Sequence, residues 1–242
     1  MSDPQRLIAV ERALAATIEQ FLQFPDALFG DSDLQGAFCR MLQSDPLFAD
    51  RYVTRDGRHT GLVHQAYPAF RSHTPGVPTD VGHLDAVVLA PSFVRGYPLE
   101  IVTNETGRPV TDGQDREPRD RPLPLLAALT LRMEPALTPE TLTALEEPWN
   151  ALLRTEQQAQ RLYMAICCTH WDLERQLLAA LPLFEHWAAR HTQVSLVVVQ
   201  AHYDRIGRVV GGRYFNLWKH TALLPPLQAA GQASGTTPWT RH

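Results

Sequence analysis

The stretch Gly82-His83-Leu84-Asp85-Ala86-Val87-Val88-Leu89 limits the possible folds of this chain more than any other. Its Ala-Val-Val-Leu run is β-forming and almost continuously apolar, the pattern of a strand covered on both faces. Residues 123–133, 162–168 and 194–201 are apolar runs of the same kind. Strands buried on both sides need a layer of other structure above and below them, and helical patterns lie between these runs.

Residues 4–23 carry Leu7, Ile8, Leu14, Ala15, Ile18, Phe21 and Leu22 at near-helical spacing. Asp31, Ser32 and Asp33 offer an N-cap for a second helix through Leu42. Thr138-Pro139-Glu140 is a helix start: a cap, a proline in the first turn and an acid near the positive dipole end. Leu142, Leu145, Trp149 and Leu152 continue it. Pro148 predicts a kink or a split there, and Pro182 a second kink in a helix over 171–190. Residues 60–68 predict a strand, 99–103 a short third strand and 211–218 an edge strand. Segments 71–80 and 106–122 are expected to be loops, the second an exposed polar excursion, and residues 231–242 a frayed end. Strands separated by helices imply crossover connections and partly parallel pairing. The expectation is one α/β domain over residues 1–230, a mixed central sheet flanked by helices.

The net charge of −4 excludes a global basic field for nucleic acid or anionic membrane. Lys219 is the only lysine, so arginine supplies nearly all positive charge. The start of the chain is amphipathic and charged, unlike a signal peptide, and no apolar run approaches the roughly 20 residues of a membrane helix. Cys39, Cys167 and Cys168 form no CxxC pair and are expected as reduced, packed thiols. Together these features predict a cytoplasmic protein.

Three segments carry the site: His64-Gln65-Ala66-Tyr67-Pro68, Gly82-His83-Leu84-Asp85 and Leu126-Ala127-Ala128-Leu129-Thr130-Leu131-Arg132. With the order of elements, they resemble the PD-(D/E)XK nuclease superfamily over roughly residues 31–201. The resemblance implies a restriction-endonuclease-like core of a helix, a three-strand meander, a helix and a further strand. It also implies an aspartate on the second strand and a Glu-x-Lys on the third. The two carboxylates hold Mg²⁺ or Mn²⁺ and the lysine orients or activates water.

Asp85 matches the first position, and Thr130 and Arg132 occupy the Glu-x-Lys register in the preferred alignment. Thr130 is a neutral and poor ligand for a hard cation. Arg132 stays protonated and cannot easily act as a base. A rival alignment takes Glu100, in Leu99-Glu100-Ile101-Val102, as the second carboxylate and leaves Val102 at the lysine position. Asp33 stands where family members often carry a further acid facing the metal, or else caps its helix. Asp85 also has a structural reading, in which it binds backbone amides at the end of the sheet or pairs with arginine.

His59, His64, His73 and His83 match no zinc-ligand spacing, and His64 and His83 are expected as hydrogen-bonded sheet residues. Arg116, Arg119 and Arg121 interleave with acids and read as a solvated loop. There is no Gly-x-Ser-x-Gly elbow, and Gly207 to Gly212 lack the Lys-Ser/Thr of a phosphate loop and read as a turn. The expected function is a degenerate nuclease-like protein. It would bind DNA or RNA, or act as a scaffold, in a larger assembly with a protein partner or a second copy. One alternative is an active Mg²⁺- or Mn²⁺-dependent endonuclease with Asp85, Glu100 and Asp33 at the metal. The other is a protein-interaction domain with no nucleic-acid role, which the net acidity favours.

Overall fold

The computed structural model describes residues 3–28, 30–69, 82–104, 124–169, 173–190, 194–203 and 209–216. The chain begins with helices α1 (Asp3–Gln23) and α2 (Asp31–Ser44), then a small hairpin of β1 (Tyr52–Val53) and β2 (His59–Thr60). Strands β3 (Val63–Pro68) and β4 (His83–Leu89) lead into two short helices, α3 (Pro91–Gly96) and α4 (Leu99–Val102). Strand β5 (Leu125–Glu134), helix α5 (Pro139–Thr155), strand β6 (Ala159–Cys168), helix α6 (Leu173–Arg190) and strands β7 (Val194–Tyr203) and β8 (Val209–Asn216) complete it.

Among the described residues six strands form one sheet in the order β3-β4-β5-β6-β7-β8. The pairs β3–β4 and β4–β5 are antiparallel, β5–β6 and β6–β7 are parallel, and β8 returns antiparallel to β7. Each parallel pair needs a crossover, which α5 and α6 supply. Two successive right-handed crossovers put both helices on one face. There Trp149 of α5 and Trp187 of α6 stack with ring centroids 4.8 Å apart. Helices α1 and α2 pack on the sheet from the other side. The apolar runs of β4 to β7 are buried almost throughout, as strands between two helical layers must be. The result is a mixed α/β sheet flanked by helices, as the sequence predicts.

Several local expectations change. Residues 99–103 are not a strand: the Pro98 carbonyl accepts from the Ile101 and Val102 amides and opens α4. A proline just before a single turn with one buried residue, Val102, favours this over an extended run. The strand expected over 60–68 is broken between Thr60, which belongs to the hairpin, and Val63. The N-cap of α2 is Gly30, without a side-chain cap, and not Asp31, Ser32 or Asp33. Thr138 caps α5 as expected, accepting from the Thr141 amide at 3.2 Å. α5 runs through Pro148 without a split, and Pro182 lies inside α6. Gly211 and Gly212 pair with His202 and Ala201 in β8 and form no turn. The expected loop over 71–80, the excursion over 106–122, and the end over 231–242 lie outside the described residues, as do Lys219 and His73.

Candidate functional site

The site arises where β4 and β5 part. Their ladder runs from Leu89–Leu125 to Ala86–Leu129 and stops there. Strand β5 continues to Glu134 against β6. Beyond Leu129, the edge of β5 that faced β4 has no strand to receive its amides. A buried amide without a partner is costly, so something else must accept.

Two carboxylates do. Asp85 Oδ2 accepts from the Leu131 amide at 2.6 Å. Asp31 Oδ1 accepts from the Met133 amide, also at 2.6 Å. Between these amides the Arg132 side chain joins the two acids. Its Nη1 donates to Asp31 Oδ2 at 2.7 Å, and its Nη2 lies 3.9 Å from Asp85 Oδ1. Asp31 sits in the first turn of α2, so the bridge also ties that helix to the sheet. Counting along the strands from the Ala86–Leu129 pair, Asp85, Thr130 and Arg132 project to one face.

Burial sets the electrostatics. Asp85 is only 7% exposed, and loss of water pushes its carboxyl up to about 6. Arg132 and the Leu131 amide pull it back, and Asp31 adds to the rise. Burial also works against the Arg132 charge, yet Asp85, Asp31 and Glu134 outweigh it and hold the guanidinium protonated. Glu134, at the end of β5, is raised by burial and then by Asp31. The Cys39 thiol on α2 is raised by burial and lowered by a hydrogen bond from the Gln65 side chain.

Thr130 is fully buried, and among the described residues its hydroxyl and the Arg132 Nε have no hydrogen-bond partner. Opposite Asp85 on the other flank stands Ala66, which the β3–β4 pairing skips and whose φ of 47° lies in the left-handed region. Both neighbours of β4 therefore depart from regular pairing at Asp85.

The other expected site residues are placed elsewhere. Glu100 is exposed in the first turn of α4, outside the sheet, and takes no part in the contacts of Asp85. The rival alignment needs it on a strand. Asp33 is exposed in the first turn of α2, two residues past Asp31, whose carboxylate the cluster uses instead. Sequence reasoning saw Asp31 only as a possible cap and did not single out Glu134. The contact from Asp31 to Arg132 spans 101 residues, and no local pattern signals it. His64 is held as expected, with its Nε2 3.1 Å from the Gly61 carbonyl, whereas His83 is exposed on β4. All three cysteines are buried free thiols.

A divalent cation does not fit this arrangement. Both Asp31 oxygens and one Asp85 oxygen already accept from β5, and the guanidinium stands between the acids. Thr130 supplies a buried neutral hydroxyl where a second carboxylate would be needed. Among the described residues no group of three or more His, Cys, Asp or Glu side chains is placed to hold a metal ion. An arginine this well compensated cannot serve as a base. The cluster braces α2 against the sheet and holds charge.

Among the described residues no helix is long and apolar enough to cross a membrane. Compared with protein-family models, curated proteins and solved structures, the chain matches none.

Proposed function

We propose that this protein is a metal-free relative of the PD-(D/E)XK nucleases, retained as a nucleic-acid-binding or scaffolding subunit of a larger assembly. One observation carries the reading: the Arg132 guanidinium bridges Asp85 and Asp31. That guanidinium supplies a positive charge between the two acids. The run of α2, the β3-β4-β5 meander, α5 and parallel β6 supports the reading. So does the position of Asp85 on the second strand of that meander, with Thr130 and Arg132 on the third. Asp85 and Asp31 are engaged by β5 and Arg132, and Arg132 stands where the resemblance implies a lysine, which argues against metal-bound water or a lysine base at this site.

The test is a cleavage assay on single- and double-stranded DNA and RNA with Mg²⁺ or Mn²⁺, run beside Asp85→Ala and Glu100→Ala. The expected result is no turnover by any of the three proteins, and no metal-dependent rise in melting temperature. Cleavage that Asp85→Ala abolishes would overturn the proposal and make this a working metal nuclease. Loss of that activity in Glu100→Ala as well would give Glu100 a catalytic role.

A further inference from the structure

We propose that the β1–β2 hairpin, with Arg95 of α3, is the surface through which this protein contacts the phosphodiester backbone of a nucleic acid. This rests on the binding role proposed above and says where the contact is made. Residues 51–59 read Arg-Tyr-Val-Thr-Arg-Asp-Gly-Arg-His, a dense set of cations in a chain of net charge −4. Arg51, Arg55, Arg58, His59 and Arg95 are all exposed.

The hairpin is built as a rigid mount for them. Tyr52 is its buried root: its hydroxyl accepts from Arg6 Nη2 at 3.2 Å, and Arg95 lies over its ring, 5.1 Å from the centroid. The Arg55 amide donates to the Tyr97 carbonyl at 3.0 Å. The turn closes through the Thr54 amide on the Arg58 carbonyl, with Gly57 at φ 82°, a conformation open to glycine. Val53 pairs with His59 on the outer side, and Val53 is 48% exposed.

The segments that carry the four arginines, 50–60 and 91–102, contain the acids Asp50, Asp56 and Glu100, and Asp3 pairs with the Arg6 that holds Tyr52. Asp56 is engaged by the fold. Its Oδ1 accepts from the Thr54 hydroxyl at 2.5 Å and from the Leu99 amide at 3.2 Å, and Arg58 Nε lies 3.5 Å from its Oδ2. Arg51 and Arg55 have no ion pair among the described residues. A narrow two-stranded ribbon tipped with guanidinium groups suits the phosphates that wall a groove, because a guanidinium fork matches phosphate oxygens. The surface is separate from the Asp85 cluster. The hairpin feeds into Val63, which pairs with Val88, and Asp85 lies about 10 Å back along β4 by strand rise.

The experiment is fluorescence anisotropy with labelled duplex DNA, single-stranded DNA and duplex RNA over a salt series. The variants are Arg55→Gln/Arg58→Gln and, with the same charge change elsewhere on the surface, Arg12→Gln/Arg40→Gln. All these side chains are exposed, so unchanged melting temperatures will verify folding. The hairpin double is expected to lose about tenfold or more in affinity. Its log–log salt slope on duplex DNA should fall by about 0.9 for each contact removed. The control double should stay within about twofold of wild type. Equal losses in the two doubles would overturn the hairpin assignment and leave the binding role standing. A wild-type protein that binds none of the three probes would overturn both, leaving scaffolding.

Discussion

Strand β5 has two unlike edges. Toward β6 it pairs in parallel from Leu125 to Glu134, a ladder that satisfies backbone groups by repetition. Toward β4 it pairs only as far as Leu129, and the last amides on that side are taken by the carboxylates of Asp85 and Asp31. The first edge draws on generic backbone geometry and apolar packing, and most β-forming residues would serve there. The second depends on three particular side chains from α2, β4 and β5, and each leaves a buried charge or an orphaned amide if it is lost. Specific polar chemistry collects where the ladder stops.

Breaking the bridge should give the largest effect. Arg132→Ala leaves Asp85, Asp31 and Glu134 facing one another without a cation, at a site where the arginine side chain is 24% exposed. Uncompensated charge of this kind costs about 2–4 kcal/mol, somewhat below the fully buried case. On the other edge, Ile166→Val, opposite Arg132 on β6, should cost about 1 kcal/mol. Urea unfolding of the two variants checks the ratio, and equal losses would remove the distinction between the edges.

The next effect is one of pH. The Asp85 carboxyl stands at about 6 when folded, above its ordinary value of 3.8. Folding therefore favours the protonated form. Its stabilising contribution is fully present below about pH 4 and is lost as pH rises through 6, by up to about 3 kcal/mol for a shift of this size. Glu11 and Glu134 shift in the same direction, so the difference between wild type and Asp85→Asn isolates the Asp85 share. Wild type should lose more stability than the variant between pH 4 and pH 7. Parallel curves would mean that Arg132 compensates Asp85 more fully than a 3.9 Å separation suggests.

The contrast between the edges also marks what the sequence revealed. Strands β4 to β7 and helices α1, α2, α5 and α6 follow from apolar periodicity, because burial imposes period and length on residues close in sequence. The cap of α5 at Thr138 follows from local hydrogen-bond chemistry. Asp85 stood out because it opens an apolar run, and Thr130 and Arg132 because the resemblance to the PD-(D/E)XK nucleases puts them at its Glu-x-Lys register. The bridge itself was hidden: Asp31 reaches Arg132 across 101 residues, and its role depends on the β4–β5 ladder ending at the Ala86–Leu129 pair. Residues 99–103 misled for the opposite reason, since Leu-Glu-Ile-Val suits a strand until Pro98 starts a helical turn.

A second buried acid sharpens the comparison at smaller scale. Glu11 of α1 is 3% exposed and accepts from the Tyr163 hydroxyl at 3.0 Å, in the middle of the regularly paired region. Its carboxyl is raised, by burial first. The Tyr163 hydroxyl first, and then the Arg161 charge, offset that rise, whereas a guanidinium and a backbone amide hold Asp85. Tyr163→Phe should cost about 1–2 kcal/mol, the usual loss when a buried acceptor goes unsatisfied. Glu11→Gln, which keeps an acceptor and removes the charge, should change stability by under about 1 kcal/mol near neutral pH. A larger loss in Glu11→Gln than in Tyr163→Phe would show that the charge itself matters there, as it does at the fork.

The smallest expected effect probes the far flank of Asp85. Ala66 holds φ at 47°, where a side chain crowds the following carbonyl and glycine is relieved of that cost. Ala66→Gly gains by that relief and loses by giving the unfolded chain more freedom, so a net stabilisation of about 0.5 kcal/mol is expected. Ala66 is exposed, and no packing is sacrificed. The informative comparison is the same substitution in the Asp85→Asn background. If the left-handed turn of β3 exists to accommodate the charged carboxylate beside it, the gain should change once that charge is gone. If the gains add independently, the strain at Ala66 belongs to the path of β3 alone, and only the β5 side of the fork is coupled to the acid.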